Sequence, residues 1–412
     1  MPAFRTALRL AQRVWQALPV PAGVRQFVGG FSWKLVEQVS FLFSRRSRHW
    51  TPGPLHVAGF FSESHGIAAS AIRCASALEA LGYEVERIDL GKPSALGLIE
   101  APASERTATG TYIIHANAPE FAIALARLGL TEGAPARVIG YWAWELPEAP
   151  QAWISRSRLC HEIWVPSEYV ANAFRSAHCP VRVVPHPLVD ASATAAADCP
   201  LTLPDTAFVA LCMLDMRSSF ARKNPLGAIA AFRQAFPDDP DVRLVIKTQH
   251  ADQYADSTRL LREAATGDPR LILVDGVWPR SSVDALIDRA DVYVSLHRTE
   301  GFGLAIAEMM QRGKPVLATA WSGNLDFMDA GFFGSIPAGL EPVGDPDNIY
   351  VGQVWAAPSI ETAADRLAAL RSDPGLSHRV GEEGRRIVLS RLGLAAYRAR
   401  VEPALGPVSR SG

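Results

Sequence analysis

Residues 291–326 read DVYVSLHRTEGFGLAIAEMMQRGKPVLATAWSGNLD, and this stretch decides the fold. DVYVSL is a short apolar run bounded by the polar turn HRTEG. FGLAIAEMMQRG carries helical spacing, KPVLAT is a second apolar run, and WSGN a second turn with glycine. Short apolar runs separated by a helix read as buried parallel strands. In open α/β sheets ligands collect outside the carboxyl ends of the strands, so both turns are expected to face one crevice. Gly301 and Gly303 let the backbone approach a ligand, and the helix behind them offers unpaired amides and a positive dipole end. That is an anion site. His297, Phe302 and Leu304 in the first turn and Asn324 in the second are candidate contacts, and two acids frame them, Glu300 in the turn and Glu308 eight residues later.

The stretch resembles the donor-binding motif of retaining glycosyltransferases with the two-domain GT-B fold, family 4 in particular. That family places two glutamates with seven residues between them and Gly-Phe-Gly after the first, which here is E300-GFGLAIA-E308. The resemblance implies that Glu300 contacts the donor sugar and Glu308 the nucleotide ribose. It also implies an α/β chain of two Rossmann-like domains facing each other across a cleft. Each acid has a plainer reading, a glutamate complementing a helix dipole or a solvated helix residue.

The chain has 412 residues, which favours two domains over one. Hydrophobic residues make up 48% and charged residues 20%, as in a globular protein. A net charge of −1 supplies no overall basic field, so a general nucleic-acid binder is excluded. The five cysteines are odd in number and lack CxxC pairing, which suits reduced thiols in the cytoplasm. Cys160-His161 and His178-Cys179 have no further ligands at zinc spacing and read as structural.

Residues 1–50 stand apart, with eight basic residues against Glu37 alone. Phe4, Leu8, Ala11, Trp15 and Leu18 mark one helical face beside Arg5, Arg9 and Arg13. A basic amphipathic helix of this kind lies on an anionic membrane surface, here the inner face of the cell membrane. A helix packed on the protein or a basic tail would read the same way. Residues 31–43 are too polar to span a bilayer.

Residues 51–187 alternate strands and helices as an acceptor domain. LHVAGFF leads through SESHG, with Gly66 at a helix start, and TYIIHANA ends in His115 and Asn117 where a crevice would lie. ARVIGYW runs into AWELPEAPQAW, where Trp142, Trp144 and Trp153 surround Glu145. Such rings either stack on sugars or form core under a loop. Many family 4 members have a histidine in this turn; this chain has none, and Glu145 is the candidate substitute as base. Residues 188–205 read as a linker. Residues 206–390 form the donor domain, and 391–412 a helix returning to the first domain with a tail.

The donor domain opens with AFVALCMLD and a turn holding Arg217, Arg222 and Lys223 before Asn224-Pro225, a helix start. Cations here would neutralise a diphosphate leaving group, and the family uses an arginine and a lysine. Lys223 takes the second role, while Arg217 and Arg222 compete for the first. With these groups and the amides at Gly301–Gly303 stabilising the phosphate, no divalent metal or other cofactor is required. The expected donor is UDP- or GDP-linked and the acceptor a glycan or lipid-linked glycan, in cell-surface polysaccharide or lipopolysaccharide synthesis. Rival readings are a phosphorylase, an epimerase, or a non-catalytic scaffold that binds a sugar nucleotide.

Overall fold

A computed structural model describes residues 49–63, 66–91, 108–130, 134–188, 199–346 and 350–408. The basic segment before His49, Ser64 and His65 of the first turn, and most of the linker lie outside these residues. Two six-stranded parallel sheets form the frame. The first contains β1 (Leu55–Gly59), β2 (Val85–Asp89), β3 (Gly110–His115), β4 (Ala136–Tyr141), β5 (Glu162–Val165) and β6 (Val181–Val183), in the order β2-β1-β3-β4-β5-β6. The second contains β7 (Phe208–Asp215), β8 (Val242–Gln249), β9 (Leu271–Asp275), β10 (Val292–Ser295), β11 (Val316–Thr319) and β12 (Ser335–Ile336), in the order β12-β11-β10-β7-β8-β9. Strands such as LHVAG and VLAT are buried on both faces because helices cover both sides of each sheet.

Strand order fixes where ligands can go. In the first sheet the order turns at β1, paired with both β2 and β3. In the second it turns between β7 and β10. A crevice opens where neighbouring strands lead to helices on opposite faces. The two crevices face each other across the interlobe cleft.

Helices α1 (Gly66–Ala80) and α2 (Ala118–Leu128) follow β1 and β3, with α3 (Gln151–Arg156) after β4 and α4 (Glu168–Ala173) after β5. In the second lobe α5 (Phe220–Lys223) and α6 (Pro225–Ala235) follow β7, then come α7 (Ala255–Ala265), α8 (Arg280–Arg289) and α9 (Leu304–Gln311). Asn224 caps α6, its carbonyl oxygen accepting the Gly227 amide at 3.1 Å, and Pro225 occupies the first turn where its missing N–H costs nothing. Ser167 caps α4 in the same manner.

The C-terminal region is α10 (Ile360–Ser372), α11 (Pro374–Leu392) and α12 (Leu394–Leu405), broken at Asp373-Pro374 and at Gly393. Tyr397 and Val401 of α12 pack among Val57, Leu78, Ile113 and Trp164 of the first lobe. The chain thus crosses between lobes twice, and the Leu188 amide donates to the Leu392 carbonyl at 2.9 Å where the crossings meet. An antiparallel pair, β13 (Ala338–Pro342) with β14 (Val354–Pro358), has no counterpart in the sequence reading. None of the five cysteines forms a disulfide. Among the described residues no helix is long and apolar enough to cross a membrane.

Candidate active site

The cleft between the lobes has a volume of about 490 Å³. From the first lobe it is lined by Phe60 after β1, Gly66 and Ile67 at the start of α1, Asn117 after β3, and Glu145 after β4. From the second come Asp215 at the end of β7, then Arg217, Arg222 and Lys223, and the turn Glu300–Ala305 leading into α9. Most of these positions follow a strand's carboxyl end or start a helix, and Arg222 and Lys223 end the short α5 just before α6 begins.

At its centre is a buried ion cluster. The Glu300 carboxylate pairs with Lys223 through one oxygen and with Arg222 Nη1 through the other at 3.0 Å. Burial alone would push the Glu300 carboxyl up, but Lys223 and then Arg222 outweigh it and hold it well below the usual carboxylate range. Arg222 is pushed up in turn: burial opposes its charge most strongly, and Glu300 together with Tyr350 and Glu145 more than compensates. Arg222 also donates to the Thr299 carbonyl at 3.0 Å and the Ser218 carbonyl at 3.1 Å, so it is enclosed by its own lobe. Arg217 differs, since about a third of its side chain remains exposed in the cleft, held by Asp215 at 2.9 Å. Of the two arginines, Arg217 is the one free to meet an incoming anion.

The turn is held from behind. Gly303 has φ +91°, which L side chains rarely adopt, and stands at the N-cap of α9, whose first amides face the cleft. Ser322 Oγ accepts the Glu300 amide at 2.8 Å, and the Gly323 amide donates to the Glu300 carbonyl at 2.9 Å. A Cβ at Gly323 would fall 2.1 Å from the Gly301 carbonyl oxygen. Gly323→Ala is therefore expected to displace the Glu300 turn and cost about 1–3 kcal/mol, read as a lowered unfolding temperature and weaker nucleotide binding. Four described non-glycine residues have positive φ, namely Ser219, Asn224, His250 and Ser322. All follow strands at this end of the second sheet, where backbone strain is tolerated for a site.

Several candidates lie elsewhere than the sequence suggested. His115 is fully buried, stacked on Tyr141 and bonded to Ser70 at 2.7 Å, and does not line the cleft. Asn324 and His297 are likewise fully enclosed; Asn324 donates to the Thr319 carbonyl at 2.9 Å and lies 3.2 Å from His297 Nε2. They brace the two turns from inside. Glu308 sits behind the cleft wall on α9, paired with Arg73 of α1 and with Arg280 at 3.3 Å. Trp142 is core, wedged between Phe121 and Phe174, and Trp144 packs edge-on against Trp153, so none of the three rings offers a face to the cleft. Glu145 does face it, and its carboxylate accepts the Tyr350 hydroxyl at 3.0 Å. Asp215 and His186 line the cleft without having been singled out; Asp215 ends β7 and His186 comes just after β6, so the rule that points to Asn117 points to them too.

The lobes are closed on each other. Ser167 Oγ donates to the Gly301 carbonyl at 2.7 Å, the Glu168 amide to Asp326 at 2.8 Å, and Thr299 Oγ1 to the Glu145 carbonyl. Among the described residues no group of three or more His, Cys, Asp or Glu side chains is placed to hold a metal ion.

Residues 213–387 match the family model of glycosyl transferases group 1. Solved structures agree over both lobes. A glycosyltransferase from Rickettsia africae is 14% identical, with 89% of this chain and 100% of that one aligned at a TM-score of 0.58. The Anabaena protein Alr3699/HepE, solved with UDP and glucose, is 15% identical, with 85% and 99% aligned at 0.56. The fold is GT-B. S. aureus TarM, solved with UDP, is 14% identical at a TM-score of 0.53; 74% of this chain aligns, and it spans only 57% of TarM. No curated protein sequence matches the chain. In GT-B terms the ion cluster, the Gly303 turn and Glu145 all border the interlobe cleft, while Glu308 stands just behind it.

Proposed function

We propose that the protein is a retaining glycosyltransferase that moves a sugar from a nucleotide-sugar donor, UDP- or GDP-linked, to a glycan or lipid-linked acceptor, without a divalent metal. The carrying observation is the Glu300–Lys223–Arg222 cluster set beside the α9 N-terminus, inside a cleft that both lobes line. Glycosyl transfer passes through an oxocarbenium-like state while negative charge grows on the departing phosphate. Lys223, Arg217 and the amides at the start of α9 stabilise that phosphate. Arg222 holds Glu300 ionised and fixed, and Glu300 orients the sugar beside the developing positive charge. Glu145, on the opposite wall and steadied by Tyr350, takes the acceptor side as base. Gly66 and Asn117 form the rim of the donor pocket, and Glu308 reaches the ribose by exchanging its pairing with Arg73 and Arg280.

Cell-surface polysaccharide or lipopolysaccharide assembly on the inner face of the cell membrane fits the basic residues 1–50; unchanged membrane partitioning on deleting them would remove that part. Calorimetric titration with UDP, GDP and ADP is expected to give one clear binder. Mixing the protein with the matching sugar nucleotide and a panel of acceptors is expected to release nucleotide. Binding without release would make the protein a scaffold, and binding of none would end the proposal.

A further inference from the structure

His186 follows β6 at the first crossing between the lobes and lines the cleft while only 7% exposed. Its ring stands edge-on to Phe302 at 4.8 Å, so it rests on the turn that carries Glu300. The other face is stacked near Tyr141 at 5.3 Å. The Tyr141 hydroxyl donates to the Val184 carbonyl at 2.7 Å and lies 3.1 Å from His186 Nδ1. A phenol has one proton, and a carbonyl can only accept it. Burial keeps that phenol well above its usual range, so it stays protonated. Nδ1 must then be the donor to the Tyr141 oxygen, which fixes the ring's tautomer. Burial and the charge of Arg73 push the ring down to about 3, so it is neutral at physiological pH. Nε2 is therefore a bare lone pair, with no protein hydrogen bond among the described residues.

A lone pair on the cleft wall calls for a proton donor. It repels phosphate oxygens, and a group so weakly basic is a poor general base at neutral pH. What it suits is a hydroxyl. On the sugar-nucleotide reading of the cleft, we propose that His186 is a specificity-determining residue whose Nε2 accepts a hydroxyl of the donor, with Tyr141 as the positioning residue that sets its tautomer. The hydroxyl belongs either to the ribose or to the transferred sugar.

Two measurements on the full chain decide this. In ¹⁵N-histidine spectra, with His186→Gln to assign the signal, His186 should show a protonated Nδ1 and an unprotonated Nε2, and Tyr141→Phe should mix the tautomers. A protonated Nε2 overturns the inference. Calorimetry with UDP, GDP and ADP and their glucose conjugates gives the second. His186→Phe should weaken the binder about fivefold to tenfold, and His186→Gln, which places an oxygen near the Nε2 position, should recover most of it. Loss on the bare diphosphate assigns the ribose hydroxyl; loss on the glucose conjugate alone assigns the sugar's. Unchanged affinity in His186→Phe refutes the inference and leaves the transferase reading standing. Failure of the wild-type chain to bind any of these compounds removes that reading itself.

Discussion

Lys223→Ala is expected to slow sugar transfer about 10²- to 10³-fold, the usual loss when one preorganised donor to a developing charge is removed. The effect should fall on kcat more than on donor KM, because the diphosphate leaving group gains charge only as the glycosidic bond breaks. Lys223 is placed for this at the C-terminal end of the short helix after β7, its ammonium against Glu300 and partly open to the cleft. Arg222 cannot substitute for it, being enclosed by the Thr299 and Ser218 carbonyls. Arg217→Ala should cost less in kcat and more in nucleotide affinity, since its guanidinium is already tied to Asp215 and reaches the cleft at the rim. Nucleotide release from the wild type and both variants, at saturating and limiting donor, separates the two roles. Full-speed transfer by Lys223→Ala would remove the electrostatic account.

The elements around that lysine were legible because each has a local cause. Proline after Asn224 marks a helix start, glycine at 303 a left-handed turn, and the run FVALCMLD a doubly covered strand. Alternating strands and helices read twice give two α/β lobes, and only the resemblance carried by E300-GFGLAIA-E308 implies that they face each other as in GT-B. What could not be read was contact across the lobes. Nothing near Glu145 in the sequence announces Tyr350, 205 residues away, or pairs Arg73 with Glu308. The tryptophans show the same limit. A cluster of rings beside a carboxylate reads alike as a sugar platform or as core, and only packing of Trp142 against Phe121 and Phe174 decides for core. His115 and Asn117 end the same strand two residues apart, yet one turns inward to Ser70 and the other lines the cleft.

Glu300→Ala is expected to destabilise the second lobe by about 3–5 kcal/mol, the cost of leaving a buried charge without its partner. Lys223 can turn toward solvent when the carboxylate is gone; Arg222, 4% exposed, cannot. For a lobe of this size the loss amounts to a fall in melting temperature of roughly 10 °C. Glu300→Gln should lose less, because the amide oxygen still accepts from Arg222. The pH dependence gives the sharper check. With the folded carboxyl held below its unfolded value of about 4.3, the ion cluster's stabilisation is complete above that value and is lost as pH falls toward the folded one. Wild type and Glu300→Gln should therefore differ by a constant amount from pH 8 to about pH 5 and converge in more acid solution. A gap that instead closed with rising pH would mean that Glu300 is protonated in the folded protein, and then neither Arg222 nor Lys223 could be neutralised by it.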